Sequence, residues 1–94
     1  MVLGALMAEL DHMRADVCRF PEEDPADVLM RISGLVGRLA EVRVQLLRSG
    51  SQRATMLRTK EVDPLREDLE LQFKLHSRRV ALMEWELKLS GGGT

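Results

Sequence analysis

Apolar residues recur at alternating intervals of three and four along most of this chain, and that spacing leaves few folds open. Leu3, Leu6, Leu10, Met13, Val17 and Phe20 are 3, 4, 3, 4 and 3 positions apart; Val28, Ile32, Leu35, Leu39, Val42 and Leu46 follow 4, 3, 4, 3 and 4. Leu69, Phe73, His76, Val80, Met83 and Leu87 repeat the 4, 3, 4, 3, 4 order. Such intervals hold one narrow stripe on one side of an α-helix, as in the seam of a left-handed coiled coil. On a strand, with its period of two, the same positions would scatter over both faces. The composition agrees: 31% charged and 45% hydrophobic residues with only 3% aromatics and no Tyr argue for helices over aromatic, β-branched strands. The expected fold is all-α, with long helices forming a coiled-coil helical hairpin or bundle that oligomerises.

The three stripes do not share a register. Extending the first through positions 10 and 17 reaches 24 and 31, whereas the second uses 32, 39 and 46; extending the second reaches 67 and 74, whereas the third uses 73, 80 and 87. One continuous rod is therefore disfavoured. The punctuation supplies the breaks: Asp24-Pro25 and Asp63-Pro64 each offer a capping carboxylate followed by Pro at the first helical position. Arg48-Ser49-Gly50 offers a basic last turn, then a residue suited to a left-handed C-terminal position. The reading is an amphipathic helix over 1–20, a connector over 21–24 and a central basic helix over 25–48. A break or short helical connector over 49–63, a bifacial coiled-coil helix over 64–89 and a flexible Gly-rich tail over 90–94 follow. Residues 51–63 have helix-forming composition and are open to being an early start of the last helix. Short connections make consecutive helices antiparallel neighbours.

The last helix carries a second stripe. Leu71, Leu75, Arg78, Leu82, Trp85 and Leu89 also run 4, 3, 4, 3, 4, displaced by two residues, or about 200°, from the first. A simple two-stranded dimer leaves one such face unsatisfied, so one face is expected on the chain's own bundle and the other on a partner. Small chains gain stability by such association. In the central helix Ser33, Gly37 and Ala40, with Gly34 beside them, form a small-residue strip that suggests close approach of a neighbouring helix.

Formal net charge is −1, yet the charges are segregated: two basic against seven acidic residues over 1–27, seven against one over 28–60, and five against seven over 61–94. An acidic–basic–acidic order suits a middle segment folded against its flanks, or one that grips an acidic polymer.

Catalytic patterns are lacking. His12 and Cys18 are six apart, which is not a ligand spacing on a helix, and His76 has no second histidine one turn away. Cys18, the single thiol, reads as a small buried hydrophobe and implies a reducing, intracellular (cytoplasmic or nuclear) setting. His76, on the seam, is expected to bias pairing. Neither phosphate-loop pattern occurs, and no carboxylate pair has an evident cleft. The apolar first ten residues lack a basic leader and are followed by Asp11 and Arg14, unlike a signal peptide, and no apolar run reaches a membrane-spanning length. No enzyme, cofactor, metal or membrane partner is expected.

The expected function is a non-catalytic coiled-coil oligomerisation and protein-interaction module, a fragment of a larger scaffold or cytoskeletal assembly protein. It is expected to self-associate, most simply as a dimer, or to take a helical protein partner. The expected interface comprises Val28, Ile32, Leu35, Leu39, Val42 and Leu46 of the central helix. From the last helix it takes Leu69, Leu71, Phe73, Leu75, His76, Val80, Leu82, Met83, Trp85, Leu87 and Leu89. An alternative is a basic helical tip, with Arg48, Arg53, Arg58 and Lys60, that binds a microtubule or a nucleic-acid backbone; the arginines at 38, 43, 48, 53 and 58 spiral around a helix and cannot line one groove. A second alternative is a monomeric three-helix docking domain.

Overall fold

The computed structural model describes residues 2–92, and the chain is all-α. Helix α1 (Val2–Arg19) ends in a short 3₁₀ turn, Phe20–Glu22; α2 spans Pro25–Ser49. Helix α3 (Gln52–Leu57) passes through a π turn (Arg58–Val62) into α4 (Asp63–Gly92). Each stripe read from the sequence faces inward where a neighbour exists. Leu6, Leu10, Met13, Val17 and Phe20 meet Val28, Ile32, Leu35, Leu39, Val42 and Leu46 in one core with Ala54, Val62, Leu65 and Leu69.

The helices form a three-membered bundle in which α2 runs against both neighbours. Its pairing with α1 is written in ion pairs: Arg38 Nε lies 3.2 Å from Glu9, and Arg31 Nη2 lies 3.1 Å from Asp16. Arg14 of α1 reaches Glu61 in the π turn at 2.6 Å. The basic middle segment is thus folded against the acidic first one. Exposed pairs of this kind contribute about 0–1 kcal/mol each, so burial of the stripes carries the fold while the charges fix which helix lies beside which.

The turns follow their local chemistry. Asp24 sits at the N-cap of α2 with extended backbone, but its side chain makes no capping hydrogen bond; its carbonyl accepts from Val28 N–H at 3.0 Å, and Pro25 fills the first helical position. Gly50 ends α2 with φ 64°, the one positive φ among the described residues, a conformation that costs an L side chain about 1–2 kcal/mol. Ser51 then caps the next helix through its hydroxyl, which accepts from Ala54 N–H at 3.0 Å.

Three expectations are corrected. The second break is confined to Gly50 and Ser51; of the readings left open for 49–63, a break, a short helical connector or an early start of the last helix, residues 52–63 take the last, helical and continuous with α4. Asp63 is therefore no cap. Proline inside a helix lacks the N–H and its ring crowds the carbonyl four residues back. Here the preceding turn is widened, with Asp63 N–H donating to the Arg58 carbonyl five residues back, so Pro64 is accommodated without ending the helix. The tail read over 90–94 is helical as far as Gly92, and Gly93 and Thr94 lie outside the described residues. The strip of Ser33, Gly37 and Ala40 faces solvent: no neighbouring helix has an atom within 4 Å of where a Cβ would stand on Gly34 or Gly37, so close packing does not account for either glycine.

Candidate functional site: the projecting end of the last helix

Helix α4 has 30 residues, about 45 Å, and together with α3 it outruns its neighbours. The molecule is accordingly 63 Å long but only 17 by 16 Å across. Alignment of the bundle shows where the excess lies. Phe20, at the end of α1, meets His76, and α2 begins at Pro25 just past that turn. Beyond His76 neither helix remains to cover α4. Every described side chain from Ala81 to Gly91 is exposed, including Leu82 (61%), Trp85 (61%), Leu87 (70%) and Leu89 (61%). Isolated exposed leucines are ordinary, but this many on one short helical arm are not.

The residues read as an interface divide along this line. All six α2 members, with Leu69 and His76, are buried within the chain's own bundle and are not offered to a second molecule. Their seam positions needed a helical partner, and α1 together with the run from Gln52 supplies it. Leu71, Phe73 and Leu75 are exposed along the flank of the bundle, and Val80 is half-buried where the bundle ends. Leu82, Met83, Trp85, Leu87 and Leu89 occupy the arm.

His76 anchors the arm's base. It is 2% exposed, its Nδ1 is 2.8 Å from the Gln72 carbonyl oxygen and its Nε2 is 3.3 Å from the Phe20 carbonyl oxygen. Both oxygens are acceptors, so a neutral ring donates to one of them and a doubly protonated ring to both. Its ring meets Phe20 edge-on, 6.1 Å between centroids, while the Arg31 guanidinium lies 5.3 Å over the same Phe20 ring. Arg31 donates to Glu23, and this hydrogen bond holds the guanidinium above its ordinary value against the opposing effect of burial, helped by the charges of Glu23 and Asp16. His76 thus acts within one chain, stitching α4 to the α1–α2 turn.

The opposite end of the bundle is basic. Arg48, Arg53 and Lys60 are exposed and Arg58 is half-buried, and none of the four has an ion-pair partner among the described residues. Beside them an open groove of about 460 Å³ runs between α1 and α3, apolar at Leu3, Met7, Met56 and Leu57 and rimmed by Arg53 and Lys60. A second open groove of about 510 Å³ lies between α2 and α4, where Val36, off the seam, joins Phe73. Sequence reading missed Met7, Val36 and Met56, since single apolar residues between stripes carry no periodic signal. His12 is exposed, and Cys18, read as buried, is exposed as well because it stands one position past Val17 on the outer face of α1. Among the described residues no group of three or more His, Cys, Asp and Glu is placed to hold a metal ion, and no helix is long and apolar enough to cross a membrane.

The architecture is that of an all-α, three-helix bundle from which one helix projects. Comparison with family models, curated proteins and solved structures finds no match to this chain.

Proposed function

We propose that the protein is a non-catalytic coiled-coil oligomerisation and interaction module, whose bundle serves as a base and whose projecting α4 arm is the interface, within a larger scaffold or cytoskeletal assembly. The observation that carries this reading is the continuation of heptad-spaced apolar residues for several turns past the point where α1 ends and α2 begins. Among the described residues nothing of their own chain covers them, and removing them from water against another helix is the favourable outcome. The interface narrows to Leu71, Leu75, Leu82, Trp85 and Leu89 on one face, with Val80, Met83 and Leu87 on the other open to a further helical partner. Self-association, most simply dimerisation, is the first activity to measure. Sedimentation of the chain should give a mass that rises with concentration from 10.6 kDa toward twice that value. Fluorescence of Trp85, the single tryptophan, should shift to the blue over the same range. A mass fixed at 10.6 kDa overturns self-association and favours a monomeric three-helix docking domain.

The unpaired Arg48, Arg53, Arg58 and Lys60 support a second activity at the far end, attachment to an acidic polymer such as a microtubule or a nucleic-acid backbone. Neutralising about four anionic charges makes affinity fall steeply with salt, by roughly two powers of ten between 50 and 200 mM for a duplex. Binding of a DNA duplex or of microtubules that fades on this scale supports the second activity, and absence of binding at low salt removes it.

A further inference from the structure

Resting on the reading of the arm as an interface, we propose that it pairs antiparallel with the arm of a second copy of this chain, along the stripe of Leu75, Arg78, Leu82, Trp85 and Leu89. Charge and register on that stripe select the arrangement. In heptad terms Leu75, Leu82 and Leu89 are at a and Arg78 and Trp85 at d, so Arg79 and Glu86, each following a d residue, both fall at e, while Lys74, Ala81 and Lys88 fall at g.

A parallel pair sets Arg78 against Arg78 inside the seam, where two like charges are taken from water together. It also flanks Arg79 of one copy with Lys74 of the other. Reversing one arm, about a two-fold axis midway between Leu82 and Trp85, removes both conflicts. Leu82 then faces Trp85 of the second copy, and Arg78 faces Leu89, its guanidinium free to turn out toward Glu86. Antiparallel helices bring e beside e, so Arg79 meets Glu86 at two symmetric places, and g beside g, so Lys88 meets only Ala81. The overlap runs from residue 75 to residue 92, about 27 Å, along the exposed flank of the bundle as far as Val80 and along the arm that stands clear of it from Ala81 onward. Leu75, Arg78, Arg79, Leu82, Trp85, Glu86 and Leu89 are all exposed, and Arg78, Arg79 and Glu86 hold no ion pair within their own chain among the described residues.

The test is sedimentation equilibrium on the full chain and two charge reversals, with circular dichroism to verify that the exposed substitutions leave the bundle folded. Arg79→Glu turns both cross-pairs into Glu–Glu, and Glu86→Arg turns both into Arg–Arg, so each variant alone should self-associate about tenfold more weakly. An equimolar mixture of the two should form a heterodimer as tight as the wild-type dimer, and Arg79→Glu with Glu86→Arg in one chain should recover self-association. A mixture as weak as its components overturns the antiparallel register, as does tightening by Arg79→Glu alone, which a parallel pair produces through Lys74. A wild-type chain that stays monomeric overturns the functional reading itself. Self-association that ignores both reversals leaves that reading standing and removes only this register.

Discussion

Replacing Phe20 with alanine is expected to cost about 3–5 kcal/mol of folding free energy, the range for truncating a fully buried aromatic side chain. Phe20 is 0% exposed and stands where three parts of the chain meet: the end of α1, the turn into α2 and the base of the projecting arm. Its ring supports the edge of His76 and the guanidinium of Arg31, so the substitution opens a void and loosens both contacts. A small domain has about 5–15 kcal/mol in total, and a loss of this size brings the variant to the margin of folding. Urea denaturation followed by far-ultraviolet circular dichroism measures it. His76→Leu is the informative companion, because it retains bulk against Phe20 while removing the ring nitrogens that face the Phe20 and Gln72 carbonyls. A loss well below that of Phe20→Ala would assign the stability of this junction to packing.

The double substitution Leu82→Glu with Trp85→Glu has the opposite profile. Both residues are 61% exposed and contribute nothing to the bundle core, and glutamate is a good helix former, so unfolding free energy should change by less than about 0.5 kcal/mol. Association should suffer severely. Two carboxylates per chain would enter the apolar seam unpaired, at a cost on the order of 4 kcal/mol or more, which is about a thousandfold in Kd. Sedimentation should find the variant at 10.6 kDa, at concentrations where the wild-type chain is dimeric, with its helical signal intact. A variant that associates as strongly as the wild type would place the interface elsewhere. Taken together, Phe20→Ala and this pair separate two burials: the one that builds the bundle and the one that, in the proposed pair, would join copies of it.

The helical class was legible because its signal is periodic and summed over many residues. The stripes from Leu6 to Phe20 and from Val28 to Leu46 are buried along their whole length. The third stripe was legible as a stripe but not in its extent of burial. Leu69 and Met83, two heptads apart, occupy equivalent positions in the sequence pattern, yet one is fully buried and the other 47% exposed, because burial depends on where α1 ends and α2 begins and not on local spacing. The stretch from Gln52 to Asp63 stayed open between a connector and an early start of the last helix for a different reason. From Leu57, which packs against the core, to Val62 the inward step is five residues, a spacing that matches neither a three nor a four and registers as irregular. The π turn inserts the extra residue that brings Val62, Leu65 and Leu69 back to the core side, so the interruption in the pattern marks a widened turn, not a gap in the helix. Cys18 and the strip of Ser33, Gly37 and Ala40 went wrong because small residues beside a seam look alike whether a neighbour covers them or not.

The continuity of the last helix has a mechanical consequence. The residues that lock α4 into the bundle and the residues that extend from it lie on a single unbroken rod, so the direction in which Leu82 and Trp85 point is set remotely, by how Leu65, Leu69 and His76 are seated. Each residue added or removed between His76 and Leu82 would turn the outer segment by about 100° about its own axis while leaving the core untouched. The bundle therefore acts as a clamp that aims the arm, and in the proposed pair the azimuth of one copy would dictate the angle at which the two bundles face each other.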